Sequence, residues 1–304
     1  MNAHLNPEYR HDFVLLFDVT DGNPNGDPDG GNLPRTDPET MQGLVTDVCL
    51  KRKIRNYIDV VCGEGETTKI YIQDKGIALN DMNARAYTAK GIKSTGTKQK
   101  REDVNIVRKW MCENFYDIRM FGAVMSTGVN CGQVRGPIQL TFSRSIDPVM
   151  PLSVTITRIA ITDPKDAEVN IGDDGKGNSG KTSTMGDKKL IPYGLYMGHG
   201  FYSPHLATQT GVSSDDLKLF WDALMNMWDL DRSASRGLMA LRGLYIFSHE
   251  NKLGNAPAHK LFDRIKPQLT IDSTVPRKFS NYTIPSIDDT TLPPGITLTR
   301  LITD

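Results

Sequence analysis

The sequence predicts an α+β fold with a ferredoxin-like core, in which strands and helices follow the order β-α-β-β-α-β. Two observations lead to this prediction. Short β-rich runs and longer amphipathic runs succeed one another along the chain in that order. Two stretches that fit neither pattern, 62–100 and 163–200, interrupt the order, and we expect them to be insertions into the core.

The first strand and the first helix come from the N-terminal third of the chain. Residues 12–19, DFVLLFDV, form a compact apolar run that ends at a Gly/Pro/Asn/Asp cluster, which is typical of a buried strand entering a loop. A helix is predicted after Asp37-Pro38, because apolar residues then recur at near-helical spacing, namely Leu44, Val48, Ile54, Ile58 and Val61. Residues 62–100 mix Gly, Thr and Lys with short apolar pieces and predict no regular element.

The middle of the chain predicts a helix, a hairpin and an arm. A helix over 102–116 follows from the apolar stripe of Val104, Val107, Met111 and Phe115. Two β-rich runs, 137–143 and 152–161, are separated by Asp147-Pro148 and are predicted to pair as a β-hairpin. From 163 to 200 the composition shifts to Asp, Lys, Gly, Ser and Thr, which indicates a protruding arm.

The C-terminal third supplies the last helix and strands. Ser213 and Asp216 are spaced as a capping box, and a single helical face follows at Leu217, Phe220, Trp221, Leu224 and Trp228. Strands are predicted over 243–249 and 295–302. The resulting order of elements is shared by RNA-recognition domains, although a fold does not by itself establish a function.

Charge and cysteine content narrow the classes of protein. The 304 residues include 36 Lys and Arg and 36 Asp and Glu, so the formal net charge is zero and any nucleic-acid site must be a local patch. The four cysteines form no CxxC pair, which argues against a zinc site or a disulfide framework. No run is apolar enough to be a signal sequence or a membrane span, so we expect a cytoplasmic protein.

A formal P-loop match occurs at residues 175–182, GKGNSGKT, which would predict an NTPase. A P-loop requires a buried strand before it and a helix after it, so that the phosphates lie at a helix N-terminus. Neither flank fits this requirement, because VNIGDD precedes the motif and Gly186 and Pro192 limit any helix after it. Flexible Gly/Ser/Lys chain is also suited to lying across a nucleic-acid backbone, and we favour that interpretation.

The loop after the first strand is rich in carboxylates. It contains Asp18, Asp21, Asp27 and Asp29, and its DGNPNG sequence copies the front half of an EF-hand loop. The twelfth position of that loop is Asn32 rather than a bidentate glutamate, which argues against calcium. The carboxylates could still hold a divalent metal for phosphodiester cleavage, and this remains a less favoured alternative.

Candidate contacts to an RNA backbone come from three places: the basic run of the first helix, the Gly-rich region 119–144, and the arm. Their cationic and polar side chains suit phosphate and sugar oxygens. Met185 is included because an apolar side chain on a polar arm could insert between bases. The full set is Lys51, Arg52, Arg55, Arg119, Ser126, Thr127, Gln133, Arg135, Arg144, Lys181, Met185, Lys188 and Lys189.

Three long motifs, taken together, resemble the CRISPR-associated Cas-seven family of the RAMP superfamily, the backbone subunit of Cascade, and most closely its type I-C branch. They are FVLLFDVT with DGNPNGDPDGGNLPRTD, RMFGAVMS with GQVRGPIQLTFSRSIDPV, and SRGLMALRGLYIFSHENKLGNAPAHKLFD. The resemblance implies a modified RNA-recognition palm over residues 1–304, with a finger-like insertion at 62–100 and a thumb-like arm at 163–200.

The resemblance also implies a function without catalysis. Copies of the chain would stack head to tail along the guide crRNA, contact other Cascade subunits, and pre-organise the guide for pairing with target DNA in antiviral defence. The guide groove would fall within the first helix and the loop 119–136. No catalytic residue, cofactor or metal is expected. Related type III backbone subunits cut RNA with an aspartate in the loop after the first strand, which is the main alternative.

Overall fold

The computed structural model describes residues 2–63, 65–160, 170–171, 177–178, 184–270 and 275–303. Its α-helices are α1 (Asp47–Cys62), α2 (Leu79–Lys90), α3 (Arg101–Asn114), α4 (Tyr116–Phe121), α5 (Pro204–Thr210), α6 (Ser214–Leu230) and α7 (Ala258–Phe262). None of the helices in this part of the chain has the length and apolar character that crossing a bilayer requires.

The strands of the described chain range from two to nineteen residues in length. In chain order they are β1 (Arg10–Gly22), β2 (Gly26–Asp27), β3 (Leu33–Pro34), β4 (Gln42–Val45), β5 (Gly122–Met125), β6 (Gly132–Arg135), β7 (Ile138–Leu140), β8 (Ser143–Pro148), β9 (Leu152–Arg158), β10 (Asn170–Ile171), β11 (Gly177–Asn178), β12 (Thr184–Tyr202), β13 (Leu238–His249), β14 (Gln268–Leu269), β15 (Tyr282–Thr283) and β16 (Ile296–Thr303).

An antiparallel sheet forms the centre of the molecule. Its main path runs β16-β13-β1-β12-β8-β4, and β7 and β9 pair with further stretches of β12. The helices α1 and α6 pack against one face, where they share a hydrophobic cluster with β1, and α7 covers part of the other face. The predicted α+β class is therefore confirmed.

The position of β1 explains its unbroken apolar sequence. Every residue from His11 to Val19 is buried, because β1 lies between β12 and β13 and both of its faces are covered. Phe13 and Phe17 point to the helical face, while Val14 and Leu16 belong to the cluster on the opposite face. A strand buried on both faces reads as a continuous hydrophobic run rather than an alternating one.

Helix α6 follows its sequence prediction closely. The Ser213 hydroxyl accepts from the backbone N–H of Asp216 (3.1 Å), and the Asp216 carboxylate accepts from the backbone N–H of Ser213 (2.9 Å), so the capping box is confirmed. Its predicted apolar face is buried in the main cluster. The first helix is confirmed with a later start, since α1 is capped by Thr46 and the preceding Leu44 lies in β4.

The predicted β-hairpin between 137–143 and 152–161 is wrong. Both runs form strands, yet β7, β8 and β9 each pair with β12 instead of pairing with one another. The nineteen residues of β12 are long enough to pair with all of them in succession. The glycines and lysines of β12 hide its strand character in the sequence, which is why the hairpin was the simpler prediction.

The limits predicted for the arm are corrected as well. Residues 191–200 of the range 163–200 lie in the central sheet, opposite β1. Residues 184–190 pair with β9 to form an exposed two-stranded ribbon, from Leu152↔Leu190 to Arg158↔Thr184, which we call the β9–β12 ribbon. Between its strands, 161–169, 172–176 and 179–183 lie outside the described residues.

A second hydrophobic cluster organises the chain between α1 and β7. It joins α2 and α3 to the β5–β6 hairpin through buried residues that include Tyr71, Met82, Tyr87, Val107, Met111 and Cys131. Helix α3 confirms the prediction for 102–116, whereas α2 lies within the range 62–100, for which no element was predicted. The insertion is therefore a packed helical unit with a core of its own.

Candidate nucleic-acid interface

A groove runs along both sides of strand β6, and we call it the β6 groove. One side is a hollow of about 680 Å³ between β6, α3 and α5, and the other is a hollow of about 580 Å³ beside β5. Cationic and polar groups line it, principally Asn105, Arg108, Lys109, Gln133, Arg135 and Gln209. Such groups match the phosphate and sugar oxygens of a nucleic-acid backbone.

Glycines hold the β5–β6 hairpin against its surroundings. Gly122 has φ +79°, and a Cβ at this position would lie 2.3 Å from the carbonyl oxygen of Val134. A Cβ at Gly136 would lie 2.2 Å from the carbonyl carbon of Phe121. Only glycine permits this close approach. With the hairpin fixed in this way, the alternating residues Gln133 and Arg135 are both exposed on one face of β6.

The structure brings Gln133 and Arg135 together with two cations that the sequence analysis missed. Arg108 and Lys109 come from α3, where Arg108 is half-buried at the edge of the apolar stripe and Lys109 is exposed on the side opposite Val107 and Met111. The helical stripe already identified in α3 could have pointed to Lys109, because a residue opposite that stripe must face solvent or a ligand. Glu113 also lines the groove, and the side chain of Lys109 lies 3.9 Å from its carboxylate.

Arg119 does not lie in this groove, and its assignment as an RNA contact is corrected. Its side chain is buried, and the guanidinium makes two bonds to the carboxylate of Asp216, at 3.0 Å and 2.6 Å. It also donates to the backbone carbonyls of Cys112 (2.7 Å) and Thr67 (3.0 Å). A buried guanidinium is stable only when its donors are satisfied in this way. Arg119 therefore fastens α4 to α6.

Arg55 is corrected for the same reason. It is buried, and its Nε donates to the carboxylate of Asp117 at 2.8 Å. The same carboxylate accepts from the backbone N–H groups of Tyr71 (2.8 Å) and Ile72 (3.1 Å). This network joins α1 to the helical insertion. It places the charge of Arg55 inside the protein and outside the lining of the β6 groove.

The remaining basic residues of α1 are also engaged within the protein. The ammonium of Lys51 lies 2.9 Å from the carboxylate of Asp47, one turn earlier on the helix. Arg52 donates to the carbonyl of Ile72 at 2.9 Å, and both side chains are half-buried. The predicted role of these two residues in RNA binding stays a prediction. The structure does not bring either of them into the β6 groove.

Ser126, Thr127 and Arg144 lie outside the lining of the groove. Ser126 and Thr127 occupy the turn between β5 and β6, where Thr127 is exposed. Arg144 is exposed on β8 and forms an ion pair of 2.6 Å with Asp37. The hydrogen bond from Arg144 is the main reason that the pKa of Asp37 is lowered. All three remain accessible to a ligand.

The β9–β12 ribbon forms a second polar crevice, of about 510 Å³. It lies between Lys188 and Lys189 on the ribbon, the turn at Gly31-Asn32, and Ala234-Ser235. Lys189 donates to the hydroxyl of Ser153 at 2.6 Å. Met185 lies farther out on the ribbon, where 74% of its surface is exposed. Lys181, the last predicted contact, lies outside the described residues.

The context around the P-loop match differs from that of an NTPase. Most of 175–182 lies outside the described residues, but Gly177-Asn178 pair with Asn170-Ile171 as short strands. The chain from Thr184 onward is a strand, in the place where a P-loop needs a helix. The NTPase alternative therefore lacks its structural setting.

Two of the four carboxylates predicted for the loop after the first strand, Asp18 and Asp27, are paired with cations, and Asp18 lies within β1 itself. Asp18 lies 3.0 Å from Arg242 and accepts from the hydroxyl of Tyr193 at 3.1 Å, while burial raises the pKa of its carboxyl group. Asp27 pairs with Arg35 at 3.3 Å. In the described part of the chain, no three His, Cys, Asp or Glu side chains are grouped so that they could hold a metal ion.

Sequence comparison identifies the family. The family model for CRISPR-associated protein Cas7 matches residues 9–287, which is most of the chain. The chain therefore belongs to the Cas7 family. A curated CRISPR-associated protein Cas7 from Haloferax volcanii is 28% identical over 244 residues, a match that covers 71% of this chain and 64% of the relative. The chain thus spans less than two thirds of the length of that relative.

Comparison with solved structures finds chains of RNA-guided complexes. A chain of a CRISPR RNA-guided surveillance complex in a pre-nicking state is similar with a TM-score of 0.49 and 11% identity, over 78% of each chain. A chain of the type III-B Cmr-beta complex bound to cognate target RNA is similar with a TM-score of 0.40 and 12% identity, over 78% of this chain and 61% of that one. At these scores the similarities define neither a subtype nor an activity.

Proposed function

We propose that this chain is a crRNA-binding backbone subunit of a type I-C Cascade complex. Copies of it polymerise head to tail along the guide RNA, contact the other Cascade subunits, and pre-organise the guide for pairing with target DNA in antiviral defence. The chain performs no chemistry of its own and works in the cytoplasm. The observation that supports this most directly is the β6 groove, with Arg108, Lys109, Gln133 and Arg135 along one path.

The order of strands supports an RNA-recognition type of core. Strands β1, β8, β12 and β13 are the first to fourth core strands, and they lie side by side as β13-β1-β12-β8. Helix α1 comes between the first and second of them, and α6 between the third and fourth. Every neighbouring pair is antiparallel, as a ferredoxin-like β-α-β-β-α-β core requires. The helical insertion and the β9–β12 ribbon are then the finger and the thumb.

Contacts to the backbone rather than to the bases fit the groups in the groove. Arginine and lysine neutralise phosphates, and Gln133 can bond to phosphate or sugar oxygens, so none of these contacts depends on sequence. A guide held in this way keeps its base edges free for pairing. The zero net charge of the chain is consistent with a small number of phosphates bound by each copy.

The ribbon supports a role in shaping the guide. Met185 is paired with Thr157 across the ribbon and is held in the open by two hydrogen-bonded strands. An apolar side chain in this position can insert between bases and unstack them, as wedges do in other nucleic-acid complexes. Replacing Met185 by alanine should remove this unstacking without changing stability. A fluorescent base analogue in the RNA, which brightens when it is unstacked, measures the effect.

The test of the proposed function is an electrophoretic shift assay on single-stranded RNAs of increasing length at two salt concentrations. Stepwise shifts that weaken with salt are expected, because each added copy neutralises more phosphates. The Arg108→Gln/Arg135→Gln double variant should lose this binding, whereas a control with two exposed cations far from the groove replaced, Lys260→Gln/Lys266→Gln, should keep it. Equal binding by both variants would rule out the β6 groove as the guide site.

The same assay with added magnesium separates this proposal from the nuclease alternative. Intact RNA is expected, because Asp18 and Asp27 are paired with arginines and no metal-binding group of carboxylates is found among the described residues. RNA cleavage that disappears on replacing one of the four aspartates, Asp18, Asp21, Asp27 or Asp29, by asparagine would instead support the type III mode of action.

A further inference from the structure

The β5–β6 hairpin, which carries Gln133 and Arg135 into the β6 groove, forms a two-stranded sheet of its own. A two-stranded hairpin is marginally stable in water, so a groove that depends on one needs further contacts to fix it. The close approach of Gly122 and Gly136 holds the end of the hairpin at Arg135. The other end is the turn over residues 126–131, and helix α2 of the insertion holds it.

Both backbone groups of Val129 in this turn are bonded by side chains of α2. The N–H of Val129 donates to Oδ1 of Asn80 at 3.1 Å, and the carbonyl of Val129 accepts from Nδ2 of Asn83 at 2.8 Å. Beside them, the hydroxyl of Tyr87 donates to the carbonyl of Asn130. The three side chains lie on one face of α2, because they are three and four residues apart. We call the two asparagines and their bonds to Val129 the asparagine clamp.

The two asparagines have opposite roles, which the backbone fixes. A backbone N–H can only donate and a carbonyl can only accept, so Asn80 presents its oxygen and Asn83 its nitrogen. The remaining oxygen of Asn83 accepts from the hydroxyl of Tyr71 at 3.0 Å. Burial raises the pKa of Tyr71 to about 12, so this hydroxyl keeps its proton at neutral pH. Asn83 is buried with both ends of its amide bonded, whereas Asn80 lies at the surface.

The turn fits the clamp closely and passes its position on to β6. Gly128 has φ +69°, and a Cβ at this position would lie 2.3 Å from Oδ1 of Asn80. The side chain of Asn130 accepts from the N–H of Gly132, the first residue of β6, at 2.8 Å. The place of the turn on α2 therefore determines where β6 begins, and with it the position of Gln133.

The clamp should affect RNA binding differently from a residue that contacts RNA. Groups that are already in position bind more tightly, because they need not be ordered when the ligand arrives. A hairpin released at its turn would have to be ordered by the RNA, but the phosphates contacted in the final complex would be the same. The affinity would then fall by the same factor at every salt concentration. Loss of a phosphate contact would also lower the salt dependence.

We infer that Asn83, together with Asn80 and Tyr87, positions strand β6 and thereby sets the affinity of the β6 groove for RNA. These are positioning residues, which act through the backbone of the turn and make no contact with phosphate. The inference rests on the proposed function, because it requires that the β6 groove is the RNA site. Helix α2 is then part of the guide site through its hydrogen bonds to the hairpin.

The test uses the similar shapes of asparagine and aspartate. Asn83→Asp replaces the donor to the carbonyl of Val129 with an oxygen and breaks that bond, whereas Asn80→Asp keeps the acceptor for the N–H of Val129. The two variants carry the same change in charge, one helical turn apart. Hydrogen exchange reports on residues 126–131 of the full chain. Fluorescence anisotropy with a single-stranded RNA of about 30 nucleotides, over a range of salt concentrations, measures binding.

A second pair of variants keeps the test decisive if Asn83→Asp does not fold. Tyr87→Phe removes only the hydroxyl that bonds to Asn130. Tyr202→Phe removes a similar bond elsewhere, from a buried hydroxyl to the carbonyl of Pro7 at 3.0 Å. Each variant loses one hydrogen bond to a backbone carbonyl, so an effect through stability alone would be similar in the two.

The expected result is a loss of RNA affinity confined to the variants that release the turn. Asn83→Asp should speed hydrogen exchange over 126–131 and weaken RNA binding by about 3- to 10-fold at every salt concentration, with an unchanged slope of log affinity against log salt. Tyr87→Phe should act in the same direction by about 2- to 3-fold. Asn80→Asp and Tyr202→Phe should bind RNA within about twofold of the wild type.

Four outcomes would overturn the inference. Equal weakening by Asn83→Asp and Asn80→Asp would attribute the effect to charge, and equal weakening by Tyr87→Phe and Tyr202→Phe would attribute it to stability. Faster exchange with unchanged RNA affinity would mean that the clamp only stabilises the fold. A lower salt dependence would mean that the turn itself contacts phosphates. Wild-type protein that binds no RNA would refute the proposed function and this inference with it, whereas wild-type affinity in all four variants would refute the inference alone.

Discussion

Replacing Arg119 by methionine tests whether this arginine stabilises the fold rather than binds RNA. The guanidinium of Arg119 holds Asp216 through two bonds, at 3.0 Å and 2.6 Å, and also binds the carbonyls of Cys112 and Thr67. Removing one partner of a buried ion pair costs about 3–5 kcal/mol, because the other charge is left without compensation. Asp216 keeps its capping bonds from Ser213 in the variant, so we expect the lower end of that range.

Urea unfolding followed by tryptophan fluorescence measures this loss, since Trp221 and Trp228 are buried on the helix that Arg119 secures. The free energy of unfolding of Arg119→Met should fall by about 3 kcal/mol. RNA binding by the fraction that remains folded should equal that of the wild type.

Arg135→Met is the matched comparison. Arg135 is exposed in the β6 groove, so its replacement should change the free energy of unfolding by less than about 0.5 kcal/mol. The same variant should weaken RNA binding and lower the salt dependence by about 0.7, the value for one phosphate contact to a single strand. A stable Arg119→Met protein that no longer binds RNA, beside an Arg135→Met protein that binds normally, would refute the reasoning that separates the two arginines.

Three further predictions concern stability, and urea unfolding tests each of them. Gly200→Ala should cost about 1–3 kcal/mol, because its Cβ would lie 2.0 Å from the ring of Phe13. Gly186→Ala is the control. Gly186 lies on the exposed ribbon, where an added Cβ would be 4.0 Å from the side chain of Ile156, so the free energy of unfolding should change by less than about 0.5 kcal/mol. Burial lowers the pKa of His11 to about 4, so stability is full above pH 6.5 and falls by about 3 kcal/mol as the pH drops toward 4; His11→Gln should remove that part of the pH dependence. Ser213→Ala removes the cap of α6 and should cost about 1 kcal/mol, whereas unchanged stability would mean that the cap is replaced by water.

The elements that sequence reasoning predicted correctly are those with a strong local pattern. Helices α3 and α6 carry apolar residues at helical spacing, α6 also has its capping residues in place, and β1 is a continuous apolar run. Burial of one face imposes the spacing of the helices, and burial of both faces imposes the continuous run of β1. These local patterns were therefore sufficient to establish the α+β class.

Pairing partners and the fate of single charges could not be predicted in this way. Arg55 and Arg119 look like surface cations in the sequence, yet their partners Asp117 and Asp216 lie 62 and 97 residues farther along the chain. Composition does not separate a buried, paired arginine from an exposed one. Helix α2 was missed for a related reason. Its apolar face is short, and the helix is stabilised by packing against α3 and the β5–β6 hairpin rather than by its own sequence.

Strand β12 connects the central sheet around β1, which was predicted well, to the β9–β12 ribbon, which was not. Its residues 191–202 pair with β1 in the core, and residues 184–190 continue without interruption into the ribbon. Met185 is six residues beyond the sheet, or about 20 Å at the rise of a strand. Because the same strand is fixed at one end by the buried β1, the ribbon has a direction set by the core rather than by a flexible linker. The position proposed for Met185 as a wedge is therefore fixed relative to β1.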